Sequence, residues 1–184
     1  MAIIYLVRHG EADYNELTEK GFFGFGRDFA PLSENGIKQA EAMAVDERLK
    51  TAELIVSSPY TRALQTASII SRVTGLRIHV EADLHEWIPD KNNTYKSSEE
   101  AFRLTEEFNE CNGIYPEGCT MKWETIEEIK TRMRRVADKY AKYDRVIFVG
   151  HSMAFKAFVN IDHMNPAEIV ECEYNERQEV LCNK

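Results

Sequence analysis

Short unbroken apolar runs punctuate this chain, and between them the apolar positions recur with helical spacing. Ile3-Ile4-Tyr5-Leu6-Val7, Glu53-Leu54-Ile55-Val56-Ser57, Arg77-Ile78-His79-Val80 and Arg145-Val146-Ile147-Phe148-Val149 have strand length and are rich in β-branched or aromatic residues. All four read as strands, and the first, stopping at a glycine turn, reads as one buried on both faces, as in the middle of a parallel sheet. The stretches between them read as amphipathic helices. One covers residues 34–50, with Ser33 as N-cap and Glu34 at the positive end. A second runs from Thr61 to Thr74, with Pro59 leading in and Gly75 closing it. Ser98 to Glu110, Trp123 to Tyr143 (acidic first, basic later) and a short stretch from Met153 to Asn160 complete the set. Residues 21–27, 88–97 and 111–120 are turn-rich and read as loops, and Glu168 to Cys172 with Gln178 to Cys182 reads as an edge hairpin. The alternation of strand and helix predicts parallel pairing through right-handed crossovers. The expected fold is α/β: a three-layer sandwich, with a mostly parallel central sheet, helices on both faces and a C-terminal edge hairpin.

Composition narrows the partners. With 184 residues and 43% apolar content the chain can fill one good core. A net charge of -8 argues against nucleic acid or anionic lipid as a bulk partner, since both reward basic surfaces. No apolar run approaches bilayer length, and the opening run has no basic segment before it, so neither a membrane span nor a signal peptide is expected. Cys111, Cys119, Cys172 and Cys182 are scattered without metal-ligand pairing. They fit reduced thiols in the cytoplasm, with a disulfide between Cys111 and Cys119 left open.

Two strands end beside glycine and histidine in mirrored order, Arg8-His9-Gly10 and Gly150-His151-Ser152. A third ends at Ser57-Ser58-Pro59, with Arg62 one turn into the next helix, and a fourth ends close to Glu86. Taken alone, each of these residues could merely face water or pack in the core. If the strands are parallel, however, all four ends lie on one edge of the sheet, where ligands bind in such folds. Arginine forks and helix N-termini there would hold a phosphoryl group, its charge matched on several sides.

These residues carry a family resemblance. Arg8-His9-Gly10-Glu11 with Asn15, Pro31-Leu32-Ser33-Glu34-Asn35-Gly36 with Gln39-Ala40, Ser57-Ser58-Pro59-Tyr60-Thr61-Arg62-Ala63-Leu64-Gln65-Thr66-Ala67, Leu84-His85-Glu86 and Gly150-His151-Ser152 occur in the order found in the histidine phosphatase superfamily, the phosphoglycerate mutase-like proteins. The resemblance implies one domain over residues 1–184, with a helical and loop insertion around 87–122 near the site. It implies a phosphomonoester hydrolase with a phosphohistidine intermediate on His9, Glu86 as proton donor, and Arg8, Arg62, His151 and Asn15 around the phosphate. No metal and no cofactor are implied, and the substrate is a small phosphate ester or a phosphorylated protein side chain. A neutral histidine has one nitrogen free to attack while a hydrogen bond fixes the other, and the Gly10 carbonyl is the expected partner. Glu86 must carry a proton when the ester arrives, through burial or through the charge of the phosphate.

The sequence also departs from the family pattern. Ala12 stands where a hydroxyl residue is common, Phe29 takes an acidic position with Asp28 one residue early, and Trp87-Ile88-Pro89-Asp90 replaces a glycine- and tryptophan-containing run. All three border the space of the leaving group. Glu11, Glu34 and Asp83 compete with Glu86 for the acid, while His79, His85 and His163 have no partners by spacing. Arg27, Trp87, Lys91, Tyr95 and the phenylalanines of 22–25 are either substrate contacts or ordinary packing. Three rival readings remain. In the same class, a phosphomutase differs only in the acceptor, and the short segments between Glu86 and Gly150 favour the phosphatase. A non-catalytic phosphate-binding module would not need the acid. Gly150-His151-Ser152-Met153-Ala154 also fits the elbow of a serine hydrolase, but only one histidine, His163, follows Ser152.

Overall fold

The computed structural model describes residues 1–159 and 161–175, and the backbone of 181–183. Its sheet has six strands: β1 (Ala2–Arg8), β2 (Leu54–Ser57), β3 (Ile78–Val80), β4 (Arg145–Gly150), β5 (Ile169–Tyr174) and β6 (Leu181–Asn183), in the order β3-β2-β4-β1-β5-β6. The four strands foreseen as parallel are parallel, β2 to β3, β2 to β4 and β1 to β4. β5 runs antiparallel to β1, and β6 antiparallel to β5, which makes the expected hairpin at the edge. The residues 176–180 between β5 and β6 lie outside the described set.

Period-two alternation sorts β1 between two cores. Ile4 and Leu6 face one layer with Phe108, Trp123, Ile129 and Phe155, while Tyr5 and Val7 face the other with Ala40, Ala63 and Ile70. β2 and β4 divide in the same way, Val56 and Phe148 to the first layer and Ile55 and Ile147 to the second. Helices α4 (Ser98–Glu110), α5 (Ile126–Tyr140) and α6 (Ser152–Val159) cover one face, α2 (Glu34–Ala44) and α3 (Thr61–Thr74) the other, and α1 (Asn15–Glu19) is a short turn after β1.

Several boundaries differ from expectation for local reasons. The helix expected over 34–50 breaks after Ala44, and Asp46 caps a separate 3₁₀ turn, Glu47–Thr51, by accepting from the Arg48 amide. The helix expected from Trp123 starts at Ile126, because Thr125 and Glu128 form a reciprocal capping box there. The cap of α4 is Ser97, which accepts from the Glu100 amide. The glycine–phenylalanine stretch closes into a 3₁₀ turn at Gly24–Phe29, pinned by the Asn93 side chain accepting from the Phe25 amide at 3.0 Å. Of its rings, Phe23 packs partly on the core, while Phe22, Phe25 and Phe29 are exposed. Cys111 and Cys119 are free, so the pairing left open between them does not form. Cys172, by contrast, is disulfide-bonded, which corrects the expectation of four reduced thiols. No described helix is long and apolar enough to cross a membrane.

Candidate active site

Because β1 and β4 pair in register, Arg8 lies beside Gly150, and the His9 amide donates to the Gly150 carbonyl at 3.0 Å. The two histidines that follow these strands are thereby brought ring to ring, 5.1 Å apart in a T-shaped arrangement. The turn after His9 needs glycine for a specific reason: a Cβ on Gly10 would sit 2.4 Å from the Gly36 carbonyl oxygen at the start of α2. That close approach aims His9 inwards, leaving it only 7% exposed.

His9 Nδ1 donates to its neighbour's carbonyl, Gly10 O, at 2.6 Å. Nε2 therefore holds the lone pair, and the Arg62 guanidinium donates to it from Nε at 3.2 Å. Arg62 belongs to the first turn of α3, where Tyr60 and Tyr14 flank it with rings 5.0 and 5.9 Å from the guanidinium carbon. Burial, reinforced by the charge of Arg62, lowers the His9 pKa to about 3, the Gly10 carbonyl opposing only in part. His151 is fully buried and its Nε2 meets Ser58 Oγ at 2.8 Å. Burial first, and then Arg62, hold its pKa well below the ordinary histidine value. Both rings are thus neutral at pH 7.

Glu86 approaches from the other side, just beyond β3. Its Oε1 accepts from the amides of Trp87 at 2.9 Å and Ala154 at 3.0 Å, and its Oε2 from Met153 at 3.3 Å. The N-terminal turn of α6 therefore fixes the carboxyl group, with one long bond at Oε2. The segment carrying Glu86 is braced from behind. A buried ion pair joins Arg132 of α5 to Glu124 through 2.7 and 3.0 Å bonds, and Arg132 Nη1 donates to the carbonyls of Asp83 and His85. Sequence reading missed this brace: the helix expected from Trp123 held both residues too far apart to meet, whereas Glu124 in fact precedes α5 and turns back onto Arg132. His85 also has a partner that spacing did not reveal, its Nδ1 meeting the Glu86 carbonyl at 2.6 Å.

Arg8 reaches across to the Met164 carbonyl through Nη1 at 2.5 Å, while its Nε is buried without a partner. His151 Nδ1 and Arg27 Nη1 share that condition. Beyond these groups opens a cavity of ≈ 310 Å³ whose lining includes Tyr14, Arg27, Asp28, Arg62 and Glu86. Arg62 and Glu86 thus face one cavity, with His9 bonded to Arg62. Asn15 does not join them: it is exposed at the start of α1, its amide capped by Asp13, and Tyr14 takes the place beside the cavity. Among the other acids considered, Glu11 is tied to Ser33 and Asn35 on the surface, and Asp83 pairs with Arg135. Lys91 is committed to Tyr115 and Glu128, while Trp87 and Tyr95 do line the cavity. The arrangement offers a neutral imidazole nitrogen, guanidinium groups around it, and a carboxyl group across a small cavity.

Comparison with known proteins identifies the family. The profile of the histidine phosphatase superfamily, branch 1, matches residues 4–177. A probable phosphoglycerate mutase GpmB of Photorhabdus laumondii subsp. laumondii is 29% identical over 86% of this chain and 74% of its own. An uncharacterized phosphatase PhoE of Bacillus subtilis is 31% identical over 86% of this chain and 76% of its own. In fold, a mycobacterial glucosyl-3-phosphoglycerate phosphatase solved with VO3 superposes with a TM-score of 0.77, at 20% identity, over 100% of this chain and 98% of that one.

Proposed function

The chain belongs to the histidine phosphatase superfamily, and from that premise we propose that it hydrolyses small phosphate monoesters, without a metal, through a phosphohistidine on His9. The observation that carries the reading is the pair of bonds on one ring, with Nδ1 spent on Gly10 and Nε2 turned to Arg62. A phosphoryl group entering the cavity displaces the Arg62–His9 contact. The guanidinium then serves the phosphoryl oxygens, and Nε2 is freed for in-line attack. Arg8 and Arg62 neutralise the equatorial oxygens, and His151, steadied by Ser58, supplies a further nitrogen. Glu86 protonates the departing alcohol from Oε2, then takes a proton from the water that cleaves the N–P bond. Acid assistance of this kind is worth about two to four powers of ten in rate.

A mutase would pass the same phosphoryl group to a second hydroxyl instead of to water. The similarity to proteins named as mutases favours that reading as the alternative. The deciding experiment incubates the protein with ³²P-labelled esters, including 3-phosphoglycerate and a phosphohistidine peptide, and quenches in alkali. Label should appear on His9, inorganic phosphate should be released, and His9→Ala should abolish both. Label on Ser152, or none under conditions that keep phosphoramidates intact, overturns the proposal. Transfer to added 2- or 3-phosphoglycerate without phosphate release selects the mutase.

A further inference from the structure

Beyond the phosphoryl site, the cavity carries two opposite charges that the mechanism does not use. Arg27 and Asp28 follow one another on the 3₁₀ turn Gly24–Phe29, and both line the cavity. At three residues per turn, neighbouring side chains point about 120° apart, so consecutive residues address different ends of one space. The Arg27 guanidinium carbon sits over the Tyr14 ring, 4.4 Å from its centroid, and Nη1 is buried without a partner. Asp28 takes the other direction, where the Tyr60 hydroxyl hydrogen-bonds its carboxyl group and Arg62 is the cation acting on it. Arg62 is already committed to His9 and to the phosphoryl group, so Asp28 has no cation of its own. Burial pushes its pKa up to about 6, as expected of a carboxyl group short of a counter-charge.

The neighbouring acids are spent. Asp90 accepts from the amides of Asn92 and Thr94 and from the Thr94 hydroxyl, and Glu86 is held by its three amides. Tyr95 lines the same cavity as Arg27 and Asp28. One carboxyl group bonded to a neutral hydroxyl and one guanidinium with an unfilled donor remain, both on the lining of a cavity sized for a small alcohol.

Resting on the phosphatase reading, we infer that Arg27 and Asp28 read the charge of the alcohol released, and that the cavity selects phosphate esters of small hydroxy amino acids, whose ammonium meets Asp28 and whose carboxylate meets Arg27. An ester carrying only a carboxylate satisfies Arg27 but leaves Asp28 unpaired beside a second negative charge. Charge pairs placed this way act mainly on selectivity between partners.

Four esters with similar short carbon frames isolate the effect: O-phosphoserine, phosphoethanolamine, 3-phosphoglycerate and glycerol 3-phosphate. Wild type should show its highest kcat/KM with O-phosphoserine. Asp28→Asn should lower the preference for the two ammonium esters over the other two by about tenfold, while keeping the preference for carboxylates. Arg27→Gln should do the converse, and Asp28→Glu and Arg27→Lys should restore part of each ratio. Equal losses on all four esters, or unchanged ratios in folded variants, would overturn the inference. If no ester is turned over, the phosphatase reading fails instead. Affinities of the same four esters, measured by calorimetry on the same variants, then decide the charge inference separately.

Discussion

At the scale of single residues, the site is built from groups whose titration burial has displaced. His9 and His151 are neutral in the folded protein, whereas in the unfolded chain each titrates near 6.5. Below that pH the unfolded state binds more protons, so stability falls on acidification, by about 1.4 kcal/mol per pH unit for each ring. For His9 the loss continues down to about pH 3. Asp28 has the opposite sign: its raised pKa stabilises the folded state below about 4 and costs stability as pH rises through about 6. Denaturant titrations at pH 7, 6 and 5 should therefore show a falling midpoint that His9→Asn flattens by one proton. Asp28→Asn should add on the order of 1 kcal/mol at pH 8, the solvent-facing part of the carboxyl group reducing the gain, and nothing at pH 4. His9, Arg62 and His151 were legible in the sequence because strand ends and one helix start fix where they go. Tyr14 was not: it and Asn15 are adjacent, and only the turn into α1 decides which one faces the cavity.

At the scale of elements, α5 does more than cover the sheet. Through Arg132 it pins the carbonyls on either side of the Leu84 turn, and so the backbone leading to Glu86. Removing one partner of a buried ion pair typically costs about 3–5 kcal/mol, while replacing both by apolar residues is often neutral. Glu124→Leu is accordingly expected to lose stability in that range by chemical unfolding. The double variant Glu124→Leu/Arg132→Met should recover most of the stability without recovering turnover, since the carbonyl braces stay broken. Recovery of both would show that the pair serves packing alone. The strands could be read from their apolar runs, and α3 from Gly75, whose φ of +74° closes the helix. The start of α5 was also present in the Thr125-x-x-Glu128 pattern, yet apolar spacing alone suggested a longer helix. The Glu124–Arg132 pair, bridging a loop and a helix, left no periodic trace. The 3₁₀ turn bearing Arg27 and Asp28 was hidden too, because it depends on Asn93, far along the chain.

For the molecule as a whole, the loop between α4 and α5 is a connection expected to tolerate cutting. Residues 116–120 are exposed, and their backbone belongs to no strand or long helix. A limited cut at Glu117 should leave the two pieces associated and active at native concentration, as gel filtration with an ester assay would show. Loss of activity on nicking would mean that this loop takes part in the site. The strand order holds a further consequence. β4, which carries His151 at its end, lies between β1 and β2, although both precede it in the chain by a long stretch. During synthesis His9, Arg62 and Glu86 all emerge before it. An unfinished polypeptide thus holds the His9 imidazole and the Arg62 guanidinium without the strand that seats His151 against them. The pocket is completed only once the fourth strand has taken its place between the first and the second.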